Sequence, residues 1–289
     1  MNAQKKQIAD RVGCFALVAP FITLDKQLEI IKSWGFSYAD ITDSSDGACL
    51  GVGFGFTSVA SLDDNPFNLK RMFDKAGLGI STVCAHSLLL DPTAPWRFGT
   101  SQIIKAVRLA ATLGVKHVVT TEGDPHTEFG ENLTEDQSVF MISEKLYEPL
   151  KLAEDLGVKI VFEPHGPIST SVSATGKVLD ACNSSALALN LDTGNLWLGG
   201  GDPVEYIKKF GGIIEHVHWK DLPAEMEAER GKVFGCGMAV IPLGTGIVPI
   251  AEVFNELVKA GFDGYSTLEI AGEEAVKESH AYLKKLAEE

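Results

Sequence analysis

The sequence predicts an α/β fold of the (β/α)8 TIM-barrel class, a single domain over residues 1–289 with its active site at the C-terminal ends of the strands. Three observations predict it. Eight short apolar runs alternate with longer amphipathic stretches from end to end, and βα alternation implies a parallel sheet. The phrases LGVKHVV, LGVKIVF and AGFDGYSTLEI each read as a helix end, a glycine cap and a strand. Several strands are near-continuously apolar, as strands buried on both faces are. An open doubly wound sheet is the alternative. It is disfavoured because no G-x-G-x-x-G follows the first strand and Leu17–Thr23 offers no phosphate-binding turn.

In order, the strands are expected at Val12–Ala19, Tyr38–Thr42, Gly79–Ser87, His117–Glu122, Lys159–His165, Ala188–Asp192, Ile213–Lys220 and Tyr265–Ile270. Helices are expected between them. Leu24–Trp34 starts behind Thr23 as N-cap and stops at Gly35. Gln102–Leu113 stops at Gly114. Thr134–Leu156 carries a capping-box pair in Thr134 and Gln137 and stops at Gly157. Ile250–Ala260 stops at Gly261, and Glu273–Ala287 closes the chain. Gly47–Ser58 reads as an extended loop over the barrel mouth. No Pro/Gly/Ser-rich linker divides the chain.

Hydrophobic residues make up 45% of the chain, a globular composition. The 25 Lys and Arg against 39 Asp and Glu leave a net charge of -14, which argues against nucleic acid or an anionic membrane as partner. No apolar run reaches the ~18 residues of a spanning helix. Met1–Arg11 is too polar for a signal peptide. The five cysteines, Cys14, Cys49, Cys84, Cys182 and Cys236, are odd in number and scattered, unlike a disulfide framework or a zinc ribbon. The expectation is a cytoplasmic protein, and barrels of this kind often assemble as a homo-oligomer or with a partner subunit.

Residues that end barrel strands face the active site. Strand five ends in FEPHG, strand six in LDTGN, strand seven in HVHWKD and strand eight in LEI, so four successive strands end in Glu163, Asp192, His218 and Glu269. One acidic residue at a strand end is ordinarily an N-cap or a solvated loop residue. Four such groups within apolar runs on adjacent strands point instead to a divalent cation, because burying carboxylates without one is costly. Three carboxylates and one imidazole suit Mn²⁺ first, with Mg²⁺, Co²⁺ or Zn²⁺ as alternatives. Alternation along a strand puts His165 beside Glu163, and His216 and Lys220 beside His218.

The run LNLDTGNLWLGGGDPVEYIKKF, then HVHWKD and LGTGIVPIAEVFNELVKAGFDGYSTLEI, resembles the xylose-isomerase-like TIM-barrel superfamily, most of all its inosose-dehydratase-like branch. The specific resemblance spans residues 155–289. It implies that Glu163, Asp192, His218 and Glu269 hold the metal. It implies proton abstraction beside a carbonyl, with the cation stabilising an enediolate. Three positions depart from the ketose 3-epimerases of that family. Ala224 stands where they carry Arg, Ser169 where they carry Glu, and Asn195 where they carry His.

The first functional reading is therefore a metal-dependent sugar isomerase or epimerase acting on a keto-sugar. The alternative is a lyase with the same enolate chemistry, expelling water from a keto-inositol or the aglycone of a 3-keto-glycoside. A nucleic-acid enzyme resembling endonuclease IV is disfavoured by the charge, and a non-catalytic sugar-binding barrel is the remaining possibility. Glu163, Glu269, His165 and Lys220 are assigned to catalysis. His86, Glu122, Asn195 and Trp197 are assigned to substrate contact, with His126 and Trp96 as further candidates. His216 is expected to support His218 from behind, and His117 to be structural. Gly244-Thr245-Gly246 is a weak candidate for phosphate binding.

Overall fold

In the computed structural model, residues 2–15, 18–43, 55–92 and 97–289 are described. Among them eight parallel strands close in chain order: β1 (Val12–Cys14), β2 (Tyr38–Ile41), β3 (Gly79–Cys84), β4 (His117–Thr120), β5 (Lys159–Phe162), β6 (Leu187–Asp192), β7 (Ile214–Trp219) and β8 (Tyr265–Leu268). The seam pairs Val12 with Ser266 and Cys14 with Leu268. Around the barrel run α1 (Asn2–Asp10), α2 (Leu24–Ser33), α3 (Pro66–Ala76), α4 (Phe98–Leu113), α5 (Glu128–Glu131), α6 (Glu135–Leu156), α7 (Val172–Cys182), α8 (Thr193–Leu198), α9 (Pro203–Phe210), α10 (Ile250–Ala260) and α11 (Glu273–Glu288). No helix among the described residues is long and apolar enough to cross a membrane.

The capping signals at α4 and α6 act as read. Thr134 Oγ1 accepts the Gln137 amide at 3.3 Å, while Gln137 Oε1 accepts the Thr134 amide at 2.9 Å. Gly114 and Gly157 close α4 and α6 with φ of 73° and 67°, a region that costs a side-chain-bearing residue strain. At α2, Thr23 holds the N-cap position without capping, because its hydroxyl turns to Asp25. Two helices outside the expected set begin at an Asx-Pro pair. Asp202 caps α9 by accepting the Val204 and Glu205 amides, and Asn65 caps α3 through the Phe67 amide. The polar N-terminus forms α1, which buries Ile8 and Ala9 and packs on α11.

Most strands are shorter than expected at their C-terminal ends: β5 stops at Phe162 and β8 at Leu268. One further amide still pairs with the neighbouring strand at each end, Glu163 with the Thr120 carbonyl at 2.9 Å and Glu269 with the Trp219 carbonyl at 3.2 Å, so these two carboxylates sit on the first loop residues. Within β7 the alternation is strict. Val217 and Trp219 face the helices, with the Trp219 ring 6.4 Å from Phe254 of α10. His216 and His218 face inward and their rings meet edge-on at 5.0 Å. A small inner core of Phe15, Phe56, Cys84, Val119, Val161 and Ala188 fills the barrel. The larger one lies between strands and helices, where each buried Leu, Ile or Phe contributes about 1.5–3 kcal/mol.

The loop after β7 is tied to one carboxylate. Buried Asp221 accepts the amides of Leu222 and Val248 on Oδ1, at 2.9 and 3.0 Å, and those of Gly244 and Gly246 on Oδ2, at 2.9 and 3.0 Å. The glycine amides of Gly244-Thr245-Gly246 are thereby spent, which corrects the phosphate-binding expectation. Asp221→Ala strands four backbone donors and should cost at least about 3 kcal/mol, read as a lower urea midpoint.

Candidate metal centre and active site

Each strand end delivers its group for a local reason. Asp192, the last residue of β6, is also the N-cap of α8: its Oδ1 accepts the Asn195 amide at 2.8 Å. Its Oδ2 turns to the barrel centre. The capping and functional readings of this residue therefore hold together, one on each oxygen. Glu163 and Glu269 follow β5 and β8 directly, and His218 reaches in from β7.

His218 Nδ1 lies 3.2 Å from Glu269 Oε2, 3.4 Å from Glu163 Oε2 and 4.0 Å from Asp192 Oδ2. One ligand atom from each of the four lies within 4.8 Å of all the others. Buried Glu163 Oε2 and His218 Nδ1 have no hydrogen-bond partner there. Unpaired buried acceptors converging on one point fit a cation, and an oxygen-rich donor set fits a hard or borderline divalent one.

Lys220 is the one ammonium aimed at this cluster among the described residues. Its Nζ lies 2.8 Å from Glu269 Oε2 and 2.9 Å from Asp192 Oδ2. Its backbone is pinned by reciprocal 2.8 Å bonds with the Thr193 hydroxyl. Burial works against its charge, but Asp192 and Glu269 hold its pKa well above the ordinary lysine value. Burial, with Glu269 and Glu163 nearby, pushes Asp192 up to about 7 against the pull of Lys220. Burial alone would raise Glu163, yet His218, His86 and Lys220 together outweigh it and hold that carboxyl well below the usual range.

Above the cluster opens a cavity of about 370 Å³. Glu163, His165, Asn195, Lys220, Glu269 and His86 all line it, while Phe15, Phe56, Leu88, Met238, Val240 and Ile270 form an apolar wall. His86 Nδ1 lies 3.2 Å from Asp43 Oδ1. His165 is half-buried, and burial lowers its pKa toward the neutral imidazole. Its ring is so close to Gly235, on the loop after β7, that a Cβ there would meet Nε2 at 2.4 Å. Asn195 Nδ2 donates to Asp192 Oδ2 at 3.0 Å and Glu163 Oε1 at 3.4 Å, and its Oδ1 accepts the Cys236 amide at 3.0 Å. His126 also lines the cavity. Trp96 lies outside the described residues, as does most of Gly47–Ser58.

Two expected contacts are not on the cavity wall. Glu122 is fully buried. Its Oε1 accepts the Ile168 amide at 2.6 Å and its Oε2 the Ser169 amide at 3.0 Å, so the carboxylate clamps the loop after β5 instead of meeting a ligand. Burial pushes it up to about 8. Ser169, in turn, accepts the His165 amide at 2.9 Å. Trp197 lies under Arg230, whose guanidinium sits 3.9 Å above the ring, which turns it away from the cavity. Ala224 is exposed on a short 3-10 turn. His216 Nδ1 pairs with Asn190 Oδ1 at 3.0 Å beside His218, and His117 pairs with Glu215 at 2.8 Å from the start of β4. Sequence reasoning missed Asp40 of β2, 3.6 Å from His218 Nε2. The signal was an aspartate inside the strand run SYADIT.

The family model described as xylose isomerase-like TIM barrel matches residues 28–286. The inosose dehydratase of Clostridium beijerinckii is 26% identical over 253 residues, 81% of this chain and 83% of that protein. That of Bacillus thuringiensis is 28% identical over 243 residues, 78% and 80% of the two chains. Among solved structures, a D-tagatose 3-epimerase-like protein superposes with a TM-score of 0.75 at 22% identity, covering 96% of this chain and 97% of that one. The IolI protein with a bound zinc atom gives 0.71 at 17%, covering 96% and 95%. A Mycobacterium smegmatis barrel in complex with magnesium gives 0.69 at 16%, covering 96% of each.

Two outcomes follow from the geometry. His218→Ala and Glu163→Gln should each lose most Mn²⁺ binding in calorimetry, since each removes one of four ligands; retained stoichiometric Mn²⁺ in His218→Ala would refute the centre. Glu122→Gln leaves one clamped amide facing an NH₂ group and should cost about 1–3 kcal/mol on urea unfolding with Mn²⁺ affinity retained.

Proposed function

Since this chain belongs to the xylose isomerase-like TIM-barrel family, we propose that it is a metal-dependent lyase for a cyclic keto-polyol or keto-sugar. It removes the proton next to the carbonyl and expels the β-oxygen substituent. Glu163, Asp192, His218 and Glu269 would hold the cation, with Mn²⁺ first and Mg²⁺, Co²⁺ or Zn²⁺ as alternatives. When bound, a divalent ion supplies Lewis-acid polarisation of the carbonyl oxygen.

The observation that carries the reading is the pairing of unlike groups on one cavity: the half-buried imidazole of His165 and the ammonium of Lys220, 2.8 Å from Glu269 and 2.9 Å from Asp192. Elimination needs one base and one acid for the leaving group. His165 takes the proton from carbon. Lys220 gives a proton to the departing oxygen, which leaves as water or as an alcohol. Asn195 keeps Asp192 and Glu163 in place, and the apolar wall excludes bulk water. The inosose dehydratases that share about four-fifths of their length with this chain support the same reading.

A second reading is isomerisation or epimerisation. It is favoured by Glu163 and Glu269 both lining the cavity, which offers two carboxylates as proton acceptors. Within the lyase reading, the wall of Phe15, Phe56, Leu88, Met238, Val240 and Ile270 favours a substrate with an apolar substituent, such as the aglycone of a 3-keto-glycoside, alongside keto-inositols.

Proton NMR in D₂O on keto-inositols, free ketoses and 3-keto-glycosides decides between them. Loss of water or aglycone with an enone product supports the lyase. Deuterium next to the carbonyl with an epimer or aldose overturns it in favour of the isomerase. His165→Ala should keep Mn²⁺ and lose about 10²–10⁴-fold in turnover. Lys220→Gln should still exchange the carbon-bound proton with solvent while failing to eliminate.

A further inference from the structure

Asp40 sits within β2 and is fully buried in the barrel. Its Oδ1 accepts a hydrogen bond from Ser81 of β3, and its Oδ2 accepts one at 2.9 Å from Thr267 of β8. Two hydroxyls orient a carboxylate without neutralising it, and an uncompensated buried charge is costly. Among the described residues the imidazole facing Oδ2 is that of His218, whose buried Nε2 lies 3.6 Å away and has no hydrogen-bond partner. The other ring nitrogen, Nδ1, faces Glu163, Asp192 and Glu269. The two nitrogens of one imidazole therefore face two different jobs.

A neutral imidazole offers a lone pair at Nδ1 only when its proton is on Nε2, and the group facing Nε2 selects that tautomer. We infer that Asp40 is a positioning residue for His218: it accepts the Nε2 proton, fixes the tautomer and the ring rotation, and so aims the Nδ1 lone pair at a cation. The inference rests on the metal reading of the four residues above.

Asp40, His216 and His218 also bring one ligand atom each within 4.8 Å of the others, which raises a second cation site as a rival. The geometry disfavours it. His216 Nε2 and His218 Nε2 are without hydrogen-bond partners, but Ser81 and Thr267 occupy the carboxylate oxygens and none of the three residues lines the cavity.

Asp40→Asn keeps the shape but cannot satisfy Ser81, Thr267 and Nε2–H with one oxygen. An amide NH₂ facing Nε2 draws the proton to Nδ1. Ser81→Ala is the milder variant, removing one support from Asp40 and leaving its charge. The test is Mn²⁺ titration of the full-length protein by calorimetry, with urea unfolding of each variant in chelator. The expected result is one Mn²⁺ per wild-type chain, an Asp40→Asn affinity weaker by about 10- to 100-fold, and a smaller loss in the same direction for Ser81→Ala.

Lower metal-free stability with wild-type Mn²⁺ affinity in both variants would make Asp40 a structural acid and overturn the inference. Should Asp40→Asn not fold, Ser81→Ala decides alone. Two Mn²⁺ per wild-type chain, falling to one in Asp40→Asn, would overturn it in favour of the second site. Equal Mn²⁺ binding by wild type and His218→Ala would instead remove the metal reading beneath it.

Discussion

Mutual repulsion among three closely set carboxylates, two buried and one partly exposed, around one imidazole is the constraint on which the rest of the site depends. Glu163, Asp192 and Glu269 have little water to screen them, so each must be held by something else. The neighbouring groups are arranged accordingly. Lys220 spans Asp192 and Glu269, Asn195 ties Asp192 to Glu163, and His218 faces all three. The closed barrel supplies what such crowding needs: β5 to β8 are adjacent, so their C-terminal ends bring the four groups together.

A second use of acids runs through the same loops. Asp221 gathers four amides after β7, and Glu122 clamps two after β5. Asp91 holds the amides of His126 and Thr127 after β4. Each of these carboxylates replaces a stretch of secondary structure that the loop lacks, satisfying donors that would otherwise be buried unpaired. The acidic balance of the chain is thus partly internal architecture.

This double use explains what could be read in the sequence. The barrel was legible because helix caps such as Gly114 and Gly157 and apolar strands repeat with one rhythm. The convergence of Glu163, Asp192, His218 and Glu269 was legible because four strand ends in succession carry ionisable groups. Glu122 and Trp197 were misassigned because being next to a strand end does not say which way a side chain turns, and amides of a distant loop at Ile168 and Ser169 claimed the carboxylate. Asp40 escaped notice because its partners, Ser81, Thr267 and His218, come from three other strands. Helices α3 and α9 were missed although Asn65-Pro66 and Asp202-Pro203 mark their starts.

Asp192 divides its two oxygens between a helix and the centre of the barrel. The first turn of α8 and the candidate metal centre are consequently one mechanical unit. Whatever redistributes charge on that carboxylate also alters the acceptor that holds the Asn195 amide at 2.8 Å. Hydrogen exchange at that single amide therefore carries a local record of the state of the centre, legible without a substrate or a chromophore.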